Sequence, residues 1–274
     1  VATQVIGFIG AGQLGEPMVK RLLDGGQEVL VYARRGDVRD RLVSLGATVA
    51  GSVAMLAQHS DVLISCLFSD AQLRQAGLGP DGLIANAKRG AVFVSHTTGT
   101  LSTLTSLRDS HPSPPVIVDA PVSGTAEDIL AGALTVLIGG PRKAVDRAIP
   151  ALKCYANPIV HTGELGSALT IKLVNNLLFA ANAQLVAAAT ELGVSLGVET
   201  PALLAALQVC SGGSRAAAHL HASRDIDSFA DAAGPFLAKD IAACAEFAAE
   251  LNVKTGLLGM VAESGPLRLG GTIG

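Results

Sequence analysis

Lys172 and Asn176 are the residues of this sequence best placed to do chemistry. They stand four apart in the stretch from Gly163 to Gly197, which is dominated by alanine and leucine and has neither proline nor glycine from Ser167 to Leu192. Alanine and leucine are strong helix formers. The stretch therefore predicts a helix of roughly 40 Å, on which residues four apart share a face. It is apolar nearly all the way round, which predicts burial on most sides. Lys172, Asn175, Asn176, Asn182, Gln184 and Glu191 interrupt it too often for a membrane span. A lysine in such surroundings has two readings. It snorkels to water near the start of the helix, the ordinary fate of a lysine, or it faces a cleft and exchanges a proton.

The N-terminal half offers a partner for such chemistry. Val5-Ile6-Gly7-Phe8-Ile9 is a short buried-strand pattern. Gly10-Ala11-Gly12-Gln13-Leu14-Gly15 follows at once, Glu16-Pro17-Met18 opens a helix, and Glu28 to Tyr32 is the next strand. A GxGxxG set between strand and helix is a dinucleotide site with a mechanism. Gly10 permits the tight turn, Gly12 lets backbone approach a pyrophosphate, and Gly15 lets helix and strand pack closely. The helix N-terminus directs its unpaired N–H groups at the phosphates. At the end of the second strand an NAD site usually places a carboxylate for the ribose hydroxyls. Here the residues are Ala33-Arg34-Arg35. Two guanidiniums favour a 2′-phosphate, so NADP is expected in preference to NAD. The plainer alternative is a solvated basic turn before Asp37.

Stepping outward, the elements that must position these residues alternate. Strand patterns at 61–67, 91–95, 116–120, 134–140 and 159–161 are separated by helical patterns, except that a loop is expected between 120 and 134. They predict a largely parallel, doubly wound Rossmann sheet. Beyond the long helix, helices are expected at 200–210, after 214, at 237–251 and at 255–263, with a frayed glycine-rich tail from Gly270. The expected architecture is an α/β dinucleotide-binding domain over 1–162, then an all-helical domain over 163–274. The long helix, about 167–196, joins the two.

Composition excludes several classes. Apolar residues make up 49% of the 274 and charged residues only 16%, against about 25% charged in an average domain. The shortfall points to an apolar surface covered by another subunit. With no Trp, 2 Tyr and a net charge of −3, nothing favours nucleic acid or an anionic membrane. Cys66, Cys154, Cys210 and Cys244 are widely separated, which predicts reduced thiols in the cytoplasm. His219 and His221 are the only close histidine pair and would face different ways on a helix, so no metal site is expected. The N-terminus runs straight into a strand pattern, without the layout of a signal peptide.

Four separated motifs carry a resemblance. They are Gly7 to Met18 with its Pro-Met, Asp119-Ala120-Pro121-Val122-Ser123-Gly124, Gly163 to Asn176 with the Lys172–Asn176 pair, and Lys239-Asp240. Together they resemble the β-hydroxyacid dehydrogenases, the group of 3-hydroxyisobutyrate dehydrogenase and tartronate semialdehyde reductase, with 6-phosphogluconate dehydrogenase a longer relative. The resemblance implies reversible hydride transfer between NAD(P) and a short β-hydroxy acid or semialdehyde. It implies Lys172 as general acid/base and Asn176 orienting the reacting oxygen. Ser123 and Gly124, with Thr125 beside them, would hold the substrate carboxylate, and Lys239 and Asp240 would close the site. Gly10, Ala11, Gly12, Gln13, Leu14, Gly15, Arg34, Arg35, Leu67 and Thr98 would line the cofactor. It also implies a homodimer or homotetramer built through the helical domain.

The chain departs from the family pattern at Thr125-Ala126-Glu127-Asp128, where more glycine is usual, at Leu101, Ala168 and Ser95-His96. Two rival readings remain. Imine reductases share the architecture but generally carry Asp or Tyr where Lys172 stands. A non-catalytic NADP(H)-binding module would tend to lose the lysine.

Overall fold

In the computed structural model of the protein, residues 4–223 and 225–268 are described. The chain divides into two compact units, Val1–Lys172 and Leu173–Gly274. The first unit begins with β1 (Val5–Ile9), α1 (Gly15–Asp24), β2 (Glu28–Tyr32), α2 (Gly36–Ser44), β3 (Thr48–Val49), α3 (Val53–His59) and β4 (Val62–Ser65). It continues through α4 (Asp70–Gly77), α5 (Leu83–Asn86), β5 (Val92–Ser95), α6 (Leu101–Asp109) and β6 (Val116–Asp119). It ends with β7 (Val122–Ser123), α7 (Ala126–Leu130), β8 (Leu134–Gly139), α8 (Arg142–Leu152) and β9 (Ala156–Gly163).

The strands form one sheet in the order β3-β2-β1-β4-β5-β6-β8-β7, with β9 also on β8. From β3 to β6 every pairing is parallel. Period-two alternation divides the side chains between two cores. Ile6, Phe8, Val29, Val31, Val62, Ile64, Val92 and Val94 meet α1, α2 and α8 on one face, through Met18, Leu22, Leu42, Val145 and Leu152. Leu63, Phe93 and Ile117 meet α3 to α6 on the other, through Leu56, Leu73, Leu83, Leu104 and Leu107. Helices on both faces make the sheet doubly wound, as expected from the alternation of strand and helix patterns.

Two local expectations change. The stretch between Ala120 and Leu134 is not a plain loop. It forms β7, which pairs antiparallel with β8, and then α7, started by a reciprocal capping box between Thr125 and Asp128. The second change lies in the helical half, described below.

The long helix α9 spans Ser167–Ser195, and α10 (Thr200–Leu207), α11 (Arg215–Ala222), α12 (Ile226–Glu250) and α13 (Gly256–Ser264) follow it. All of α9 beyond Lys172 belongs to the second unit. The expected start of α12 at Leu237 is too late. Asp225 caps the helix by accepting the Ser228 N–H at 2.7 Å, and Pro235 lies inside it. Length and composition would let α9 cross a membrane, yet half of its most apolar window is buried in the fold. Its buried amide Gln184 is satisfied by protein: Nε2 donates to Leu267 O at 3.0 Å and Oε1 accepts from Leu267 N at 2.8 Å. Those are the marks of a core helix. The glycine-rich tail from Gly270 lies outside the described residues.

Candidate active site

The carboxyl ends of the parallel strands form one edge. Ile9 pairs with Ser65, Ser65 with Ser95 and Ser95 with Asp119. The segments that leave these residues therefore start side by side. They carry Gly10, Leu67, Thr98 and Pro121 onward, and such an edge is where open α/β sheets bind ligands. Four of the expected cofactor or substrate segments are thereby gathered in the first unit, and Arg34 and Arg35, following β2 at the same edge, make a fifth.

The glycine loop has distinct constraints at its three glycines. Gly10 has φ +97°, and a Cβ there would stand 2.3 Å from Cys66 O. A Cβ on Gly15 would stand 2.1 Å from Gly10 O and 3.1 Å from Phe8 Cε1, so only glycine lets α1 seat against β1. A Cβ on Gly12 would meet no protein atom within 4 Å; beyond Gly12 lies open space. No side chain caps the N-terminus of α1; Glu16 N–H is taken by Gly12 O at 3.0 Å and Pro17 has none, so in the first turn it is the Gly15 amide that can meet an anion. A cleft of about 510 Å³ opens there, lined among others by Gly12, Gln13, Lys20, Arg35 and Arg41. A dinucleotide phosphate fits these donors. Arg34 and Arg35 are both exposed; Arg35 lies 3.5 Å from Asp37. Arg41, which the sequence did not single out, grips Glu16 with two hydrogen bonds of 2.9 and 3.0 Å. Leu67 packs toward Gly10, its Cδ2 3.0 Å from where a Cβ would stand, and Thr98 is half-buried.

The Ser123–Gly124–Thr125 bend is exposed, and Gly124 holds φ +142°. The departure from the family pattern has a local purpose. Thr125 N–H donates to Asp128 Oδ2 at 2.7 Å, and Asp128 N–H donates back to Thr125 Oγ1 at 3.4 Å. The Thr125 hydroxyl also reaches Glu127, which holds that carboxyl below its usual range.

Lys172 is half-buried, in the second turn of α9. The start of that helix is held by a residue to which the sequence assigned no role of its own. Asp119, fully buried at the end of β6, accepts the N–H of Gly166 at 2.7 Å and that of Leu169 at 2.8 Å. Burial pushes its carboxyl above the usual range, and these amides pull it back. The available signal was a carboxylate closing an otherwise apolar strand.

In the second unit, Asn176 is 8% exposed and donates Nδ2–H to Asp240 Oδ2 at 2.8 Å. Its Oδ1 accepts from Asn175 Nδ2 at 3.2 Å. Lys239 precedes Asp240 on α12 and is half-buried. Adjacent helical residues point about 100° apart, so the two do not share one direction.

His96 sits behind the edge in the first unit, 4% exposed. Its Nδ1 lies 2.5 Å from Ala120 O and its Nε2 2.8 Å from the Tyr155 hydroxyl. A carbonyl only accepts, so Nδ1 carries the proton and Nε2 accepts from Tyr155. Burial depresses its pKa to about 4, with the Ala120 bond opposing. It is a satisfied neutral core histidine. Among the described residues no group of three or more His, Cys, Asp or Glu has the arrangement of a metal site.

Comparison with known proteins places this geometry. Residues 5–163 match the family model described as the NAD binding domain of 6-phosphogluconate dehydrogenase. Residues 166–264 match that described as NAD-binding of NADP-dependent 3-hydroxyisobutyrate dehydrogenase. A probable mitochondrial 3-hydroxyisobutyrate dehydrogenase of Dictyostelium discoideum is 30% identical over 72% of this chain and 62% of its own length. The matched segment thus spans under two thirds of that relative. An NAD-dependent L-serine dehydrogenase of Pseudomonas aeruginosa is 33% identical over 76% of this chain and 70% of its own. Among solved structures, a Mycobacterium tuberculosis 3-hydroxyisobutyrate dehydrogenase with L-serine has a TM-score of 0.84 at 23% identity, over 95% of this chain and 91% of that one. A Streptomyces aurantiacus imine reductase has a TM-score of 0.64 at 18% identity, over 94% and 92%. Likeness at such identities concerns the fold alone. With both of its halves matched by models from the same group, and with relatives at 30% identity and above, the chain carries an NAD(P)-binding domain and belongs to the β-hydroxyacid dehydrogenase family.

Proposed function

We propose that the protein is an NADP-dependent oxidoreductase that interconverts a short β-hydroxy acid and its semialdehyde. A bound nicotinamide supplies or accepts the hydride. Lys172 exchanges the proton with the substrate oxygen, general acid–base catalysis that contributes on the order of 10²–10⁴-fold. Asn176 has two N–H donors; Asp240 takes one and the reacting oxygen takes the other. Ser123 and Gly124, with Thr125, hold the acid end of the substrate, and Lys239 is assigned to substrate binding as well. The observation that carries this reading is Asn176, locked by Asp240 one helical turn from Lys172. The substrate class is supported by the relatives named for 3-hydroxyisobutyrate and L-serine, both of which bear a hydroxyl on the β-carbon.

NADP is favoured over NAD by the exposed Arg34 and Arg35 at the end of β2. Four unpaired cysteines support a reducing, cytoplasmic setting. A homodimer or homotetramer is supported by α9, where Ile171, Leu178, Leu185 and Leu192 recur every seven residues and are 45%, 46%, 55% and 61% exposed. The test is NADP⁺ reduction with 3-hydroxyisobutyrate and L-serine, and NADPH oxidation with semialdehydes, glyoxylate and cyclic imines. Lys172→Ala should lose most turnover yet still bind NADPH; full turnover in that variant would refute the assignment. Arg34→Ala should weaken NADP⁺ by about 10-fold or more, the worth of a charged hydrogen bond, and leave NAD⁺ unchanged.

A further inference from the structure

We infer that Asp119 is a positioning residue for proton exchange by Lys172, gripping the start of α9 and so setting where the lysine stands. This inference rests on the proposed role of Lys172. A helix start leaves backbone N–H groups without intrahelical acceptors, and a buried start needs partners from elsewhere in the fold. Asp119 supplies both from one side chain. Its Oδ1 takes the amide of Gly166, just before α9, and its Oδ2 takes that of Leu169, three residues on. One hydrogen bond would leave the helix free to pivot. Two divergent bonds to a carboxylate on β6 fix the height and rotation of its first turns, up to Lys172, against the sheet. The carboxylate also stands at the positive end of the helix dipole, where a negative charge is favourable, and it is fully buried.

The surroundings are built to admit that carboxylate. Gly139 is paired with Asp119 across β6 and β8. A Cβ on Gly139 would stand 2.5 Å from Asp119 Oδ1 and 2.7 Å from Ser167 Oγ, so a larger residue would wedge strand and helix apart. Ser167 Oγ is tied to Thr162 Oγ1 at 2.7 Å, and Gly166 turns the chain into the helix with φ +93°. Lys172 follows Leu169 by three residues, less than one turn. Little chain lies between them to absorb a shift of the helix start, and a misplacement of about 1 Å can cost on the order of 10²-fold in rate.

The test is Asp119→Asn, assayed with NADP⁺ and 3-hydroxyisobutyrate. Asparagine keeps the shape but offers one acceptor, so one of the two amides loses its partner. We expect kcat to fall by about 10- to 100-fold, with a larger solvent deuterium isotope effect. KM and the NADPH Kd and binding stoichiometry should stay within about threefold. Loss of NADPH binding in parallel with kcat would show general damage to the fold and overturn the inference, as would a kcat within twofold of the parent. Gly139→Ala, which crowds the junction without changing any charge, should reproduce the same selective loss; if it binds NADPH normally and turns over normally, the inference also fails. Lys172→Ala separates the two levels. Full turnover in that variant removes the acid/base assignment itself, whereas an inactive Lys172→Ala beside a fully active Asp119→Asn removes only the role of Asp119.

Discussion

Asn176 Nδ2 lies 2.8 Å from Asp240 Oδ2, a hydrogen bond that ties α9 to α12 across 64 positions of sequence. A carboxylate can only accept, so the bond also decides which way the carboxamide points: nitrogen toward Asp240, oxygen toward Asn175. The orientation of the side chain is thus set before any substrate arrives. Asp240→Ala releases that constraint, and kcat should fall by about 10-fold or more with cofactor affinity little changed, since orientation of a reacting group is worth that much. Steady-state kinetics beside an NADPH titration reads this out; equal kcat in the variant would remove Asp240 from the site.

Gly12 and Gly15 should separate binding from folding. Gly15→Ala drives a methyl to 2.1 Å from Gly10 O, and overpacking of this kind costs about 1–3 kcal/mol. Its melting temperature should drop by several degrees. Gly12→Ala meets no protein atom and should keep the parent melting temperature while weakening NADP(H) by about 10-fold or more, because the methyl stands where a pyrophosphate must approach. Unchanged affinity in Gly12→Ala would place the phosphates elsewhere.

His96 makes stability fall on acidification. Its folded pKa of about 4 lies below the usual 6.5. Between these values the unfolded chain binds the proton that the folded chain refuses. Stability is therefore fully present above pH 6.5 and is lost as pH falls toward 4. Linkage puts the loss at about 2 kcal/mol between pH 7 and pH 5. Urea unfolding across that range, compared with His96→Gln, measures the histidine's share. If the two pH slopes coincide, His96 is not the titrating group.

The stripe of Ile171, Leu178, Leu185 and Leu192 along α9 leads to a statement about assembly. Four large side chains at seven-residue spacing, each about half exposed, suit the flank of another helix better than water. Light scattering should give twice or four times the mass of one chain. Leu185→Glu should shift that mass toward a single chain at micromolar concentration. A parent protein that already scatters as one chain would exclude the proposed assembly.

What the sequence determined by itself is local. The strand–GxGxxG–helix order, the alternation behind a doubly wound sheet and the bounds of α9 are written in contiguous residues, because periodicity, helix propensity and the steric demands of glycine act over a few positions. The tertiary structure decided the rest. It turned the stretch after Ala120 into β7 and α7, since an antiparallel pairing with β8 and a Thr125–Asp128 cap outweighed the loop-like composition. It started α12 eleven residues before Leu237, where Asp225 caps it and the helix runs on through Pro235. It joined Asp119 to Gly166 and Leu169, and Asn176 to Asp240. Each of those bonds links residues 47 to 64 positions apart, and no local rule pairs a carboxylate with an amide at that distance. Only folding, by burying such groups where water cannot reach them, obliges them to find one another.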